Sequence, residues 1–90
     1  MSSAVLVTDL RNLGPTSARW LGAAGIFFRA DLEEVGAARA FHRVRQAGFR
    51  PSLNLLWALQ GALFDLDWQD LPRELKDQLR KEVAALEAGG

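Results

Sequence analysis

From Pro51 the chain reads Pro-Ser-Leu-Asn-Leu-Leu-Trp-Ala-Leu-Gln-Gly-Ala-Leu, and this stretch limits the fold more than any other. Leu53, Leu55, Leu56, Trp57, Ala58, Leu59, Ala62 and Leu63 are interrupted by only two polar residues, Asn54 and Gln60. Pro51-Ser52 opens such a segment as a helix, and a helix apolar nearly all round cannot lie with one side in water. It belongs at the centre of a domain, so the other elements have to be arranged around Ser52–Leu63.

Those elements read as helices. Ala37, Ala40, Phe41 and Val44 recur at i, i+3, i+4 and i+7 in a segment from Ala37 to Gln46 that Gly48 ends; its other side carries Arg39, His42, Arg43, Arg45 and Gln46. A last helix is expected from Pro72 to Leu86, with the stripe Leu71, Leu75, Leu79, Val83, Leu86 and an Asp77–Lys81 pair one turn apart. Shorter helices are expected over Val7–Asn12, over Pro15–Ala24, and over Asp31–Val35 with Asp31 as its cap and Leu32 and Val35 inward. In the second of these, Ala18, Leu21 and Gly22 share one side while Trp20 lies off it, covering a neighbouring helix. Ile26-Phe27-Phe28 reads as a connector that drops its side chains into the core, Phe64–Asp70 as an acidic loop, and residues 1–6 and 87–90 as loose ends. Apolar and polar residues nowhere alternate as a strand requires, so the expected class is all-α: one domain over residues 1–90, a small bundle of about five helices.

Composition narrows the function. Ninety residues form a single domain with a modest core, a size at which a homodimer is a reasonable expectation. The absence of cysteine excludes disulfides and thiolate zinc sites and suits a reducing compartment, so the cytoplasm is the expected location. The N-terminus lacks the basic segment of a signal peptide, and no stretch approaches the roughly 20 apolar residues of a membrane span, so no membrane partner is expected. Net charge is zero but uneven: from Leu10 to Arg50 seven arginines face three acids, a net of +4, and from Pro51 onward the balance is −3. A basic half of this kind approaches polyanions, and arginine is the better fork for phosphate.

No catalytic, cofactor or metal site is expected. His42, the single histidine, has no carboxylate three or four residues away and reads as solvated surface. Asp65-x-Asp67-x-Gln69 begins like a calcium loop, but Asp70 stands at the glycine position and Lys76 at that of the closing glutamate. Ser17 and Ser52 lack a neighbouring base, so the chain does not read as an enzyme. Trp20, Trp57 and Trp68 read as packing residues rather than base-stacking platforms.

The remaining candidate is Asn12-Leu13-Gly14-Pro15, where Asn and Gly tolerate left-handed backbone and Pro15 is preset to start a helix. The first amides of that helix lie beside the Thr16 and Ser17 hydroxyls and between Arg11 and Arg19, a setting that suits phosphate; a self-capped turn between two short helices is the structural alternative.

Asn12-Leu13-Gly14-Pro15-Thr16-Ser17-Ala18 resembles the turn of the helix-hairpin-helix motif, with Asn12 in place of the first glycine. That resemblance implies contact with DNA backbone phosphate through Gly14, Thr16 and Ser17. A longer likeness runs through Leu10-Arg11-Asn12-Leu13-Gly14-Pro15, Leu21-x-x-Ala24-Gly25-Ile26, Asp31-Leu32, Arg50-Pro51-Ser52-Leu53-Asn54-Leu55-Leu56 and Trp68-x-x-Leu71-Pro72. It resembles the C-terminal domain of the TfoX/Sxy family, bacterial regulators of competence and DNA transformation that act with a cyclic-AMP receptor-type activator. Full-length members carry a separate N-terminal domain, which these ninety residues do not include. The resemblance implies a regulatory or adaptor role. DNA backbone or a transcription-regulator protein would meet Arg11, Asn12, Gly14, Thr16, Ser17 and Arg19 at the turn and Arg39 and Arg43 on the arginine-rich helix. A protein-interaction or self-association module without DNA binding is the alternative.

Overall fold

The computed structural model describes residues 5–89. Among them are five α-helices: α1 (Pro15–Ala23), α2 (Arg29–Val35), α3 (Ala37–Gln46), α4 (Leu53–Phe64) and α5 (Arg73–Gly89). The described residues are 72% helical and include no strand, a small all-α bundle. Single 3-10 turns, Val7–Asp9 and Trp68–Asp70, precede α1 and α5.

The hub is α3 rather than the apolar α4: α1, α2, α4 and α5 all pack on it. Ala37, Ala38 and Ala40 are buried there beside Phe41 and Val44, and small side chains let several helix backbones approach closely. Hydrophobicity alone therefore misidentified the centre, because closeness of approach also depends on side-chain size. Even so, α4 buries every position from Leu55 to Leu59, then Gly61 and Ala62. Gly36, the one residue between α2 and α3, has φ +86°, the left-handed bend that lets two short helices meet at a sharp angle.

Several local expectations change. The first helix is one 3-10 turn, not Val7–Asn12: Leu10 is already extended and Asn12 has φ +73°, so both Leu10 and Leu13 can enter the core. Val5 and Leu6 are not loose, since the Val7 amide donates to the Phe27 carbonyl and the Arg29 amide to that of Val5. This pairing turns Ile26 fully inward but leaves Phe27 and Phe28 exposed, so the connector inserts one side chain instead of three. Residues 1–4 and 90 lie outside the described residues. Asp31 is not the cap of α2 but sits in its first turn and accepts the Phe28 and Phe27 amides at 3.0 and 3.1 Å, which lowers its pKa below the ordinary carboxylate range.

The C-terminal end is also more ordered than expected. Residues 87–89 continue α5, and Glu87 pairs with Arg45 of α3, whose guanidinium lies over the Phe41 ring at 4.6 Å. The Asp77–Lys81 pair is not formed among the described residues; both side chains are exposed, where such pairs gain little over water. His42 is half-buried, not a solvated surface group, and its Nδ1 is buried without a hydrogen-bond partner among the described residues. Trp20 stacks on Phe49 at 5.5 Å, closing the joint between α1 and the end of α3.

Candidate phosphate-binding turn

Leu10 and Leu13 are both buried, and the Leu13 amide donates to the Leu10 carbonyl at 3.2 Å, so Arg11 and Asn12 are pushed outward at the tip of a tight turn. Asn12 is one of the few residue types that accept positive φ without the full penalty of a Cβ, because its side chain can bond to nearby backbone. Here its partners are distant in sequence. Its Nδ2 donates to the Leu66 carbonyl at 2.8 Å, and its Oδ1 accepts the Trp68 amide at 3.3 Å. The Arg11 guanidinium donates to the Asp65 carbonyl at 3.1 Å. The turn is thus stapled to the segment that leaves α4.

Gly61 makes the staple possible. A Cβ at this position would lie 2.5 Å from Asn12 Nδ2, 2.7 Å from the Leu66 carbonyl oxygen and 3.4 Å from the Trp68 Cα. The Leu66 amide in turn donates to the Gly61 carbonyl at 2.8 Å. The residues that read like the start of a calcium loop serve this local structure. Asp65 ends α4 in left-handed backbone, and the Asp67 carboxylate caps the 3-10 turn by accepting the Gln69 amide. Among the described residues no three acidic, histidine or cysteine side chains gather into a metal site.

The start of α1 is arranged differently. Gly14 precedes it in ordinary extended backbone, φ −105° and ψ −172°, and a Cβ there would meet nothing within 4 Å. No side chain caps this helix, Pro15 has no amide proton, and the Thr16 and Ser17 amides find no acceptor among the described residues. These two amides face outward with the positive end of the helix dipole. Thr16, Ser17 and Trp20 form one wall of an open groove of about 370 Å³. Ser52, Asn54 and Ala58 of the α4 side form the other, with Asn12 and Trp68 also lining it.

The sequence-derived candidates divide in space. Asn12, Thr16 and Ser17 meet at this groove, Gly14 and Arg11 stand beside it, and Arg19 is exposed on α1. Arg39 lines another groove against α5, and Arg43 is exposed in the last turn of α3. Ser52 and Asn54 were missed as groove residues; the signal available was the Pro51-Ser52 helix start, which nothing local connects to a turn forty residues earlier. Trp57 is buried in the core, while Trp68 is half-buried and shares Lys76 with it, the ammonium lying 5.7 and 6.0 Å from the two rings.

Comparison with known proteins adds two findings. The family model of the TfoX C-terminal domain matches residues 5–83. Among solved structures, the chain is similar to an uncharacterized protein from Listeria monocytogenes in a triclinic form, with 29% identity, TM-score 0.80 and coverage of 94% of both chains. It is likewise similar to a protein of unknown function from Listeria monocytogenes in a tetragonal form, with 30% identity, TM-score 0.80 and coverage of 89% of this chain and 99% of that one. No curated protein matches the sequence.

Proposed function

This chain belongs to the TfoX C-terminal domain family, and from that premise we propose that it is a non-enzymatic bacterial regulatory or adaptor domain linked to competence genes, meeting DNA backbone phosphate at the turn before α1. The observation that carries the reading is Gly14. The fold does not require glycine there, since the backbone is one that any residue adopts and the space around it is empty. What the missing side chain provides is open approach to the Thr16 and Ser17 amides, the donors an anion needs at a helix start.

Thr16 and Ser17 hydroxyls add donors beside those amides, and Arg19 supplies charge from the exposed side of α1. Asn12 and Arg11 support the turn from behind through their bonds to the segment after α4. The experiment is a titration of labelled duplex DNA with the wild-type chain, Gly14→Ser and Arg19→Ala. A serine at position 14 can cap the free amides from within. Weaker binding by both variants, on duplexes of unrelated sequence, agrees with backbone contact at the turn; wild-type affinity in both removes the turn from the interface.

A further inference from the structure

A second groove, of about 640 Å³, runs between the start of α3, the end of α4 and α5. Ala38, Leu63, Phe64, Leu75, Leu79 and Leu86 form its apolar surface. Leu75 and Leu86 belong to the apolar stripe of α5, yet within one chain they are only partly buried, whereas Leu79 and Val83 of the same stripe are buried. Phe64 is 54% exposed at the end of α4. Large apolar side chains gathered in one open groove mark an interaction surface.

The charges on this groove select the occupant. Arg39 lies on its α3 side and Glu82 on its α5 side, and neither is in an ion pair among the described residues. We propose that this groove is where a second copy of the chain docks about a two-fold axis, with Arg39 of each copy against Glu82 of the other and each Phe64 entering the facing groove. A two-fold contact needs a patch that carries both halves of every interaction, here one cation, one anion, one exposed aromatic and an apolar groove. Zero net charge leaves no long-range repulsion between copies.

The groove is the centre of such a contact, and the surface around it completes the area that a dimer needs. A standard interface takes roughly 800 Å² from each partner, about one seventh of the 5629 Å² surface of this chain. Leu66, two residues beyond Phe64, is also exposed. The Arg29 guanidinium donates to the Leu63 carbonyl near the end of α4, and Phe28, the chain neighbour of Arg29, is exposed together with Leu6.

The test is sedimentation of the full chain from low to high micromolar concentration. The wild type is expected to dimerise. Arg39→Glu alone and Glu82→Arg alone each turn both symmetry-related contacts repulsive, and each should weaken dimerisation at least tenfold. Mixing the two variants restores both contacts in a heterodimer, which should form with wild-type affinity. Phe64→Asp should be monomeric while keeping wild-type circular dichroism. A wild type that stays monomeric overturns the proposal, as does its capture of an amphipathic peptide in the groove without self-association. A dimer indifferent to all three substitutions, or a mixture that fails to recover, overturns it equally.

Discussion

Replacing Gly61 by alanine sets two effects of opposite sign against each other, and the structure decides between them. Gly61 lies in the interior of α4, where alanine is intrinsically favoured over glycine by roughly 1 kcal/mol. Propensity alone therefore predicts a more stable protein. Against it, the new Cβ would stand 2.5 Å from Asn12 Nδ2 and 2.7 Å from the Leu66 carbonyl oxygen, distances that no side-chain rotation at position 61 can relieve. Moving Asn12 away breaks its two hydrogen bonds, each worth about 1 kcal/mol, and shifting the 65–68 backbone adds an overpacking cost of about 1–3 kcal/mol. The net expectation is a loss of about 2–4 kcal/mol, which for a domain of this size lowers Tm by roughly 10–30 °C. Thermal and urea unfolding followed by circular dichroism measures it, with a lower midpoint and an unchanged m-value. Asn12→Ala, measured alongside, should cost less in the Gly61→Ala background than in the wild type, a coupling of about 1 kcal/mol. A Gly61→Ala protein as stable as the wild type or more so would refute the staple.

Three other perturbations follow from the same geometry. Phe41 is fully buried in the helix on which the rest of the bundle packs, so Phe41→Ala should cost about 3–5 kcal/mol, read as a large drop in urea midpoint. The Asp31 carboxyl is held below the ordinary range chiefly by the Phe28 amide and then by that of Phe27. Its stabilising effect is therefore present above the unfolded-state pKa and lost as pH falls through the folded value, so the Tm difference between wild type and Asp31→Asn should narrow below about pH 4. Gly14→Ser should leave stability unchanged or raise it by a few tenths of a kcal/mol, because the backbone there is extended and the site open; a marked loss in thermal unfolding would show that the fold needs this glycine.

Helix boundaries set by strong periodicity were legible from residues alone. Ala37–Gln46 is α3 residue for residue, and Pro15 starts α1 as its fixed φ requires. Legibility failed where a residue's role is fixed by a partner far along the chain. Asn12 read as an imperfect substitute for a turn glycine, yet its bonds go to residues 54 and 56 positions away, and no local pattern encodes them. Phe27 and Phe28 look like core residues by hydrophobicity, but pairing with Val5–Leu6 fixes an extended backbone in which Ile26 alone points inward. The end of α5 read as frayed because Gly89 and Gly90 are poor helix formers, a weak local preference outweighed by packing on α3 and the Arg45–Glu87 pair. The candidate site was half legible: Gly14, Thr16 and Ser17 announce a helix start, while the groove wall from Ser52 and Asn54 exists only once α4 is in place.

In the proposed function the turn before α1 offers its Thr16 and Ser17 amides to a DNA phosphate with arginine support. The most direct test of this contact is the affinity of the chain for duplex DNA across a series of salt concentrations, beginning at low salt. Log affinity should fall linearly with log salt, with a slope of about −2 to −3 for two or three phosphates neutralised, and Arg19→Ala should make this slope shallower by about one. Absence of binding at the lowest salt, or a slope indifferent to Arg19, would contradict it.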